Sequence, residues 1–184
     1  MLIDAGDESA AVCFYCNQSN KINPFEPIEH SDSLFAKAIR AMPILTAEIV
    51  KHKDIEKYIN VDTGSRGFLG MGHPLLVAVS CFKLSAEGNQ VGNNASFQVL
   101  MTVPGLNVNL LHESFGIGLT ALHMAAKSSN VKAVKLLLNA EGIDPEIKDS
   151  EHKTAAECAG SAAVTQLFEK FAKSKANNNR LMNG

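Results

Sequence analysis

The clearest amphipathic pattern in the chain lies past its midpoint. Leu122, Ala125 and Ala126 fall at i, i+3 and i+4, which places them on one face of a helix. Thr120 stands just before this run as a natural N-terminal cap. His123 follows three residues later, within reach of the cap or of a neighbouring loop. Val131, Val134, Leu137 and Leu138 then repeat at helical spacing and predict a second helix. Gly142 can adopt the left-handed conformation that ends a helix, and Asp144-Pro145 starts an extended return. The small alanines of the first helix allow a neighbouring helix to approach closely.

The same grammar recurs in weaker form. His73-Pro74-Leu75-Leu76-Val77-Ala78-Val79 and Phe97-Gln98-Val99-Leu100-Met101 predict another helix pair, closed by Gly105-Leu106-Asn107-Val108-Asn109. Gly105 and Gly142 are 37 residues apart, whereas His73 and Thr120 are separated by 47, so an insertion lies inside this unit. Residues 85–94 hold two Gly and three Asn with little apolar content, and they read as a surface loop. Downstream, Lys153-Thr154-Ala155-Ala156-Glu157-Cys158-Ala159 repeats the first-helix motif 34 residues after Thr120, with Glu157 in the place of His123. Val164, Leu167, Phe168 and Phe171 predict a final helix. Far upstream, Ser33-Leu34-Phe35-Ala36-Lys37-Ala38-Ile39 and Ile55-Glu56-Lys57-Tyr58-Ile59 predict the two helices of a degenerate first unit. Pro43 breaks or starts a helix between them.

Set in order, Gly118-Leu119-Thr120-Ala121-Leu122-His123-Met124-Ala125-Ala126, the Val131 to Leu138 helix and Gly142-Ile143-Asp144 resemble the ankyrin repeat. That motif reads T-P-L-H-x-A-A, then V-x-x-L-L-L, then G-A-D. One extra residue falls at positions 139–141, just before Gly142. The resemblance implies an all-α, ankyrin-repeat solenoid of stacked helix-turn-helix pairs with hairpin loops. Four repeats are expected, at about 31–69, 70–116, 117–150 and 151–172. Residues 1–30 would form a non-repeat segment, in which Cys13-Phe14-Tyr15-Cys16 is a short strand or a helix covering the first repeat. Residues 173–184 would be a disordered polar tail.

Ankyrin stacks bind proteins and rarely carry chemistry, so the resemblance implies a non-enzymatic module with a concave partner surface. Hairpin tips are expected at residues 63–68, 110–117 and 145–153. The candidate partner-binding residues are Arg66, Phe68, Leu111, His112, Phe115, Met124, Lys127, Asp149 and Glu151. Leu111, Phe115, Ile117 and Met124 are apolar where such positions are usually polar, which suits interface anchors. The plainer reading is that Leu110 and Leu111 pack the base of the hairpin.

Composition narrows this picture. The 184 residues include 17 Lys plus Arg against 19 Asp plus Glu, a formal charge of -2, which argues against a nucleic-acid partner. Aromatics make up only 6% and Trp is absent, as expected for thin layers lined by Ala and Leu. No apolar run is long enough to span a membrane. The acidic start of the chain is no Sec signal. Four scattered cysteines read as reduced thiols of a cytoplasmic, monomeric protein. A short divergent array with an inserted loop and a polar tail also resembles secreted effectors of intracellular bacteria, which would place it in a host cytosol with a host protein as partner.

Candidate chemistry is sparse. Cys13 and Cys16 are half of a zinc site or a redox pair, and His30 and His52 match no finger spacing, so a metal-binding or thiol-dependent function is the alternative reading. Cys158 falls where Met124 stands one repeat earlier, and Cys81 follows an apolar run, so both read as core or groove lining. The glycine-rich stretch at 64–72 reads as an inter-repeat loop rather than a phosphate cradle. No catalytic, metal or cofactor-binding residue is therefore assigned. Residues 1–30 hold five acids and one Lys, and the chain from Glu169 onward holds four bases and one acid, which reads as ordinary solvated termini.

Overall fold

The computed structural model describes residues 7–18, 21–26, 32–61, 73–81, 83–84, 90–91, 94–114 and 117–182. The chain divides into two compact units, Met1–Asn107 and Val108–Gly184. The division falls inside the stretch expected to be the second repeat.

In the first unit, α1 (Glu8–Gln18), α2 (Leu34–Ala41), α3 (Pro43–Ile49) and the single turn α4 (Ile55–Tyr58) precede α5 (Pro74–Ser80) and α6 (Asn94–Leu100). Ser33 starts α2, its hydroxyl accepting from the Ala36 N–H at 3.2 Å, and the helix buries Leu34, Phe35, Ala36, Ala38 and Ile39. Pro43 occupies the first turn of α3, where its missing N–H costs nothing. The partner of α2 is therefore α3, which packs against it directly. The expectation that Ile55 to Ile59 forms that partner is corrected: the stretch is a one-turn helix followed by its cap. Proline acts here as a helix start, so the pair closes after a single intervening residue, Met42.

The cysteine-bearing segment is helical, and α1 covers α3. Met42, at the N-cap position, gives α3 no side-chain cap. Glu8 of α1 supplies one, its Oε1 accepting from the N–H groups of Ile44 (2.6 Å) and Leu45 (3.3 Å). α5 buries every residue from Pro74 to Val79, as a helix apolar on all sides must. The buried hydroxyls of Thr46 and Ser96 meet at 3.3 Å and tie α3 to α6. The insertion is not a plain loop. β1 (Lys83–Leu84) and β2 (Gln90–Val91) pair antiparallel as Lys83 with Val91 and Leu84 with Gln90, and Asn94 already belongs to α6.

In the second unit, β3 (His112–Ser114) and β4 (Ile117–Leu119) form a hairpin in front of α7 (Ala121–Lys127) and α8 (Val131–Leu138). α7 buries Ala121, Leu122, His123, Ala125 and Ala126, and α8 buries Ala133, Val134, Leu137 and Leu138. Asn130 caps α8, its side chain accepting from Ala133 N–H at 3.0 Å. α9 (Ala162–Met182) packs on α8 and buries Val164 and Phe168. Residues 173–182, expected to be disordered, continue this helix. An anchored helix can extend through Ala- and Lys-containing sequence at little cost because propagation is cheap once a nucleus exists. The Lys175 ammonium also stands 5.5 Å over the Phe171 ring.

One device is used in both units. The Asn60 side chain donates to Gly105 O and accepts from Asn107 N–H, both at 2.6 Å. In the second unit Asn109 donates to Gly142 O at 2.7 Å and accepts from Asp144 N–H at 2.9 Å. Each time a carboxamide satisfies the donor and the acceptor of a turn whose glycine has positive φ, +76° at Gly105 and +73° at Gly142.

Candidate functional site

The β3–β4 hairpin, the start of α7 and the loop at 148–154 meet in the second unit. The hairpin pairs His112 with Leu119, Glu113 with Gly118 and Ser114 with Ile117. The neighbouring loop closes on itself through the Lys148–Thr154 bridge. Hydrogen bonds join loop to hairpin and helix. Gly118 N–H donates to Ser150 Oγ at 3.2 Å, and the His123 ring meets Lys153 O through Nε2 at 3.0 Å.

His123 holds both ends of this connection. Its Nδ1 stands 2.8 Å from Thr120 Oγ1 and 3.4 Å from Thr120 N, while Thr120 Oγ1 accepts from the His123 N–H, closing a capping box. With Nδ1 accepting from the cap, the proton of the neutral ring sits on Nε2 and is donated to Lys153 O. The side chain is buried, so each of these bonds is shielded from water.

Asp149 organises the loop. Its carboxylate accepts from Glu151 N–H at 2.9 Å and Lys153 N–H at 3.0 Å, from the Cys158 thiol at 3.5 Å, and from the Lys127 ammonium at 3.4 Å. Burial pushes the carboxyl up, but the bonds from Lys153, Cys158, Glu151 and Lys127 outweigh it and hold its pKa down at about 2. The thiol responds in the opposite sense. Burial, the bond to Asp149 and that negative charge push Cys158 up and keep it protonated as a donor.

The structure places the sequence-assigned residues as follows. Leu111 is 41% exposed, and its side chain also lies over Gly118, where an added Cβ would stand 3.5 Å from Cδ2. It is thus both an exposed apolar group and packing for the hairpin base. His112 is half-buried, with Nε2 out of water and lacking a partner among the described residues. Met124 is half-buried on α7, and Lys127 is exposed at the end of that helix. Glu151 is exposed and paired with Lys153 at 2.8 Å. That hydrogen bond and charge hold the Glu151 carboxyl below its usual range. Asp149 differs from its assignment. At 4% exposure it is no contact group, and it shapes the surface from beneath. Arg66, Phe68 and Phe115 lie outside the described residues, as does the glycine-rich stretch at 64–72.

Ser150, Lys153 and Cys158 are not among the residues that sequence reasoning singles out as contacts. The Asp-x-Glu-x-Lys spacing of Asp149, Glu151 and Lys153 is the signal that could have found the loop, since an Asp side chain bonds readily to backbone two residues on. Cys13 and Cys16 are exposed on α1, and no group of three or more metal-ligating side chains gathers among the described residues. No helix among them is long and apolar enough to cross a membrane.

Helix pairs joined by antiparallel fingers, with a Thr-His box at the start of an inner helix, define a helical repeat protein. A family model for ankyrin repeats, in three copies, matches residues 84–180. The chain belongs to the ankyrin-repeat family, and such repeats are generally protein–protein interaction modules, typically without enzymatic activity. No curated protein matches the chain.

Proposed function

We propose that the chain binds a partner protein through the finger side of its second unit, without chemistry of its own. Leu111 and Met124 would be the apolar anchors, with His112, Lys127 and Glu151 as polar surroundings; Phe115, between the two strands of the finger in sequence, belongs to the same assignment. The observation that carries this reading is the Asp149 hub, which fixes the 148–154 loop against α7 before any partner arrives. A surface ordered in advance loses less entropy on binding. Arg66 and Phe68, in the earlier expected finger, are assigned the same partner role.

The test is affinity capture with quantitative mass spectrometry, comparing the natural chain with a Leu111→Asp, Met124→Asp variant. The expected outcome is at least about tenfold depletion of a specific co-purifying protein, since central apolar anchors carry most of an interface's energy. The melting temperature should change little, because neither side chain is fully buried. Equal capture by both proteins would remove this surface from consideration.

A further inference from the structure

The first unit holds a cleft of about 860 Å³, walled by the C-terminal half of α1 and its following loop on one side and by the α3–α4 connection on the other. Its walls are braced. Phe25 stacks on Tyr58 at 4.4 Å between ring centroids and meets the edges of Phe35 at 5.2 Å and His52 at 5.5 Å. Asn23 donates to Glu26 at 2.9 Å and accepts from Phe25 N–H at 3.1 Å. His52 Nδ1 accepts from Asp54 N–H at 3.2 Å, which leaves Nε2 as the proton-bearing donor of the neutral ring.

The charge balance of the lining is uneven. Glu48 is neutralised by Lys51 at 2.7 Å and Asp54 by Lys57 at 2.6 Å. Lys21 and Lys53 also line the cleft, and neither forms an ion pair among the described residues. Two cations outside these ion pairs thus stand on two different segments, Lys53 close enough for Asp54 to feel its charge, beside the apolar side chain of Ile22 and the Tyr15 phenol. Burial, with Cys16 and Glu48 near, pushes that phenol up and keeps it a donor. Cations placed on separate walls suit carboxylates spaced along one extended chain rather than a single dianion. A cleft of this volume matches the size of a short peptide stretch.

We propose that this cleft binds an acidic, apolar-containing peptide segment of a partner protein, a docking site separate from the finger surface of the second unit. The segment's carboxylates pair with Lys21 and Lys53, and its apolar side chain lies on Ile22. Contacts of this kind steer encounter and are screened by salt.

The test uses the full chain and a fluorescein-labelled octapeptide of alternating Glu and Leu, read by fluorescence anisotropy. Saturable binding is expected, with affinity lowered about tenfold or more in a Lys21→Glu, Lys53→Glu variant and lowered again by raising salt to a Debye length of about 3 Å. A Lys132→Glu, Lys135→Glu variant, changed at exposed lysines of α8, should bind as the natural chain does. Cys16 lines the cleft while Cys13 does not. Bound peptide should therefore slow iodoacetamide alkylation of Cys16 several-fold while leaving Cys13 unchanged. The proposal is overturned by absent saturable binding, by equal losses in the α8 variant, or by unprotected Cys16. Displacement by millimolar inorganic phosphate would also overturn it, since that marks a simple anion site.

Discussion

Two capping boxes in the second unit each start with a threonine and differ in the residue three positions on. At Thr120 the partner is His123, buried, with one ring nitrogen on the cap and the other on Lys153 O of the following repeat. At Thr154 the partner is Glu157, exposed, whose carboxylate accepts from Thr154 N–H at 2.7 Å and from its hydroxyl at 3.1 Å. Imidazole has two nitrogens on opposite edges and can serve its own cap and a neighbour at once. A carboxylate serves the cap alone. The interior box opens a full helix, α7, whereas residues 154–158 form only a turn. Histidine thus stands where a further finger must be held, and glutamate where α9 is the next and last described element. The difference is one of neighbours rather than of helix propensity.

The strongest test of this connection removes the group that shapes the loop His123 reaches. Asp149→Asn keeps the shape of the side chain and can keep Oδ1 on the Glu151 and Lys153 N–H groups. The change removes the charge, however, and puts an amide donor where Oδ2 accepts from the Lys127 ammonium and the Cys158 thiol. It should cost about 2–3 kcal/mol at neutral pH, read by urea unfolding. The pH dependence has a defined sign. The folded carboxyl is held at about 2, below its ordinary value, so its stabilisation is complete above about pH 5. It is lost as pH falls toward 2. The stability gap between the natural chain and the Asp149→Asn variant should therefore narrow across that window and largely close as pH falls through about 2. A gap unchanged at pH 2 would mean that the charge of Asp149 does not hold the loop.

Next in size is His123→Ala, which strips the box of one partner and removes one of the two donors to Lys153 O, leaving it the Asp149 N–H at 2.8 Å. A loss of about 2 kcal/mol is expected, from the lost bonds of a buried network together with the space left by the buried ring. Amide exchange should quicken at Lys153 and Gly118 more than within α8. A uniform increase across the unit would show that His123 serves only its own helix. Gly160→Ala tests the return path beneath the same helix. An added Cβ would stand 2.7 Å from both Lys127 O and Ser129 Oγ, at a point where Gly160 N–H bonds Ala126 O at 3.0 Å. Shifting backbone to relieve that clash should cost about 1–2 kcal/mol. A neutral substitution would show that the end of α7 is free to move.

Much of this arrangement is legible in the residues. The Thr120–His123 pairing, the apolar stripes of α7 and α8 and the helix-ending roles of Gly105 and Gly142 follow from local spacing, because capping and periodicity involve residues only a few positions apart. The pairing of α2 with α3 is hidden because the α3 and α4 stretches both look helical, and only packing decides which neighbour α2 takes. Asp149 looks like a surface acid by type, since its burial depends on the loop folding back under Lys127 and Cys158. Bonds reaching across a repeat, such as Asn109 to Gly142, have no short-range signature. The helical continuation of α9 is hidden for a different reason: its polar composition looks like a tail, and the anchoring at Val164 and Phe168 that lets it propagate lies one to two turns earlier.

The smallest expected effect bears most directly on the two boxes. Glu157→His puts the interior residue into the terminal box. Thr154 would keep a ring nitrogen in place of the carboxylate, and the second nitrogen would face water, so the unfolding midpoint at neutral pH should barely move. The carboxyl of Glu157 is held below its usual range, first by the Thr154 N–H and then by the Thr154 hydroxyl. The natural chain should therefore lose the small contribution of this box as pH falls through the acid range. The variant should lose its own at higher pH, as the histidine protonates near its ordinary range around 6.5 and gives up its acceptor. The reciprocal His123→Glu should instead lose nearly as much as His123→Ala, because a carboxylate cannot donate to Lys153 O and would bring a charge into a buried position. If both exchanges proved equally mild, the two boxes would be interchangeable caps, and the hold of one repeat on the next would have to rest on packing alone.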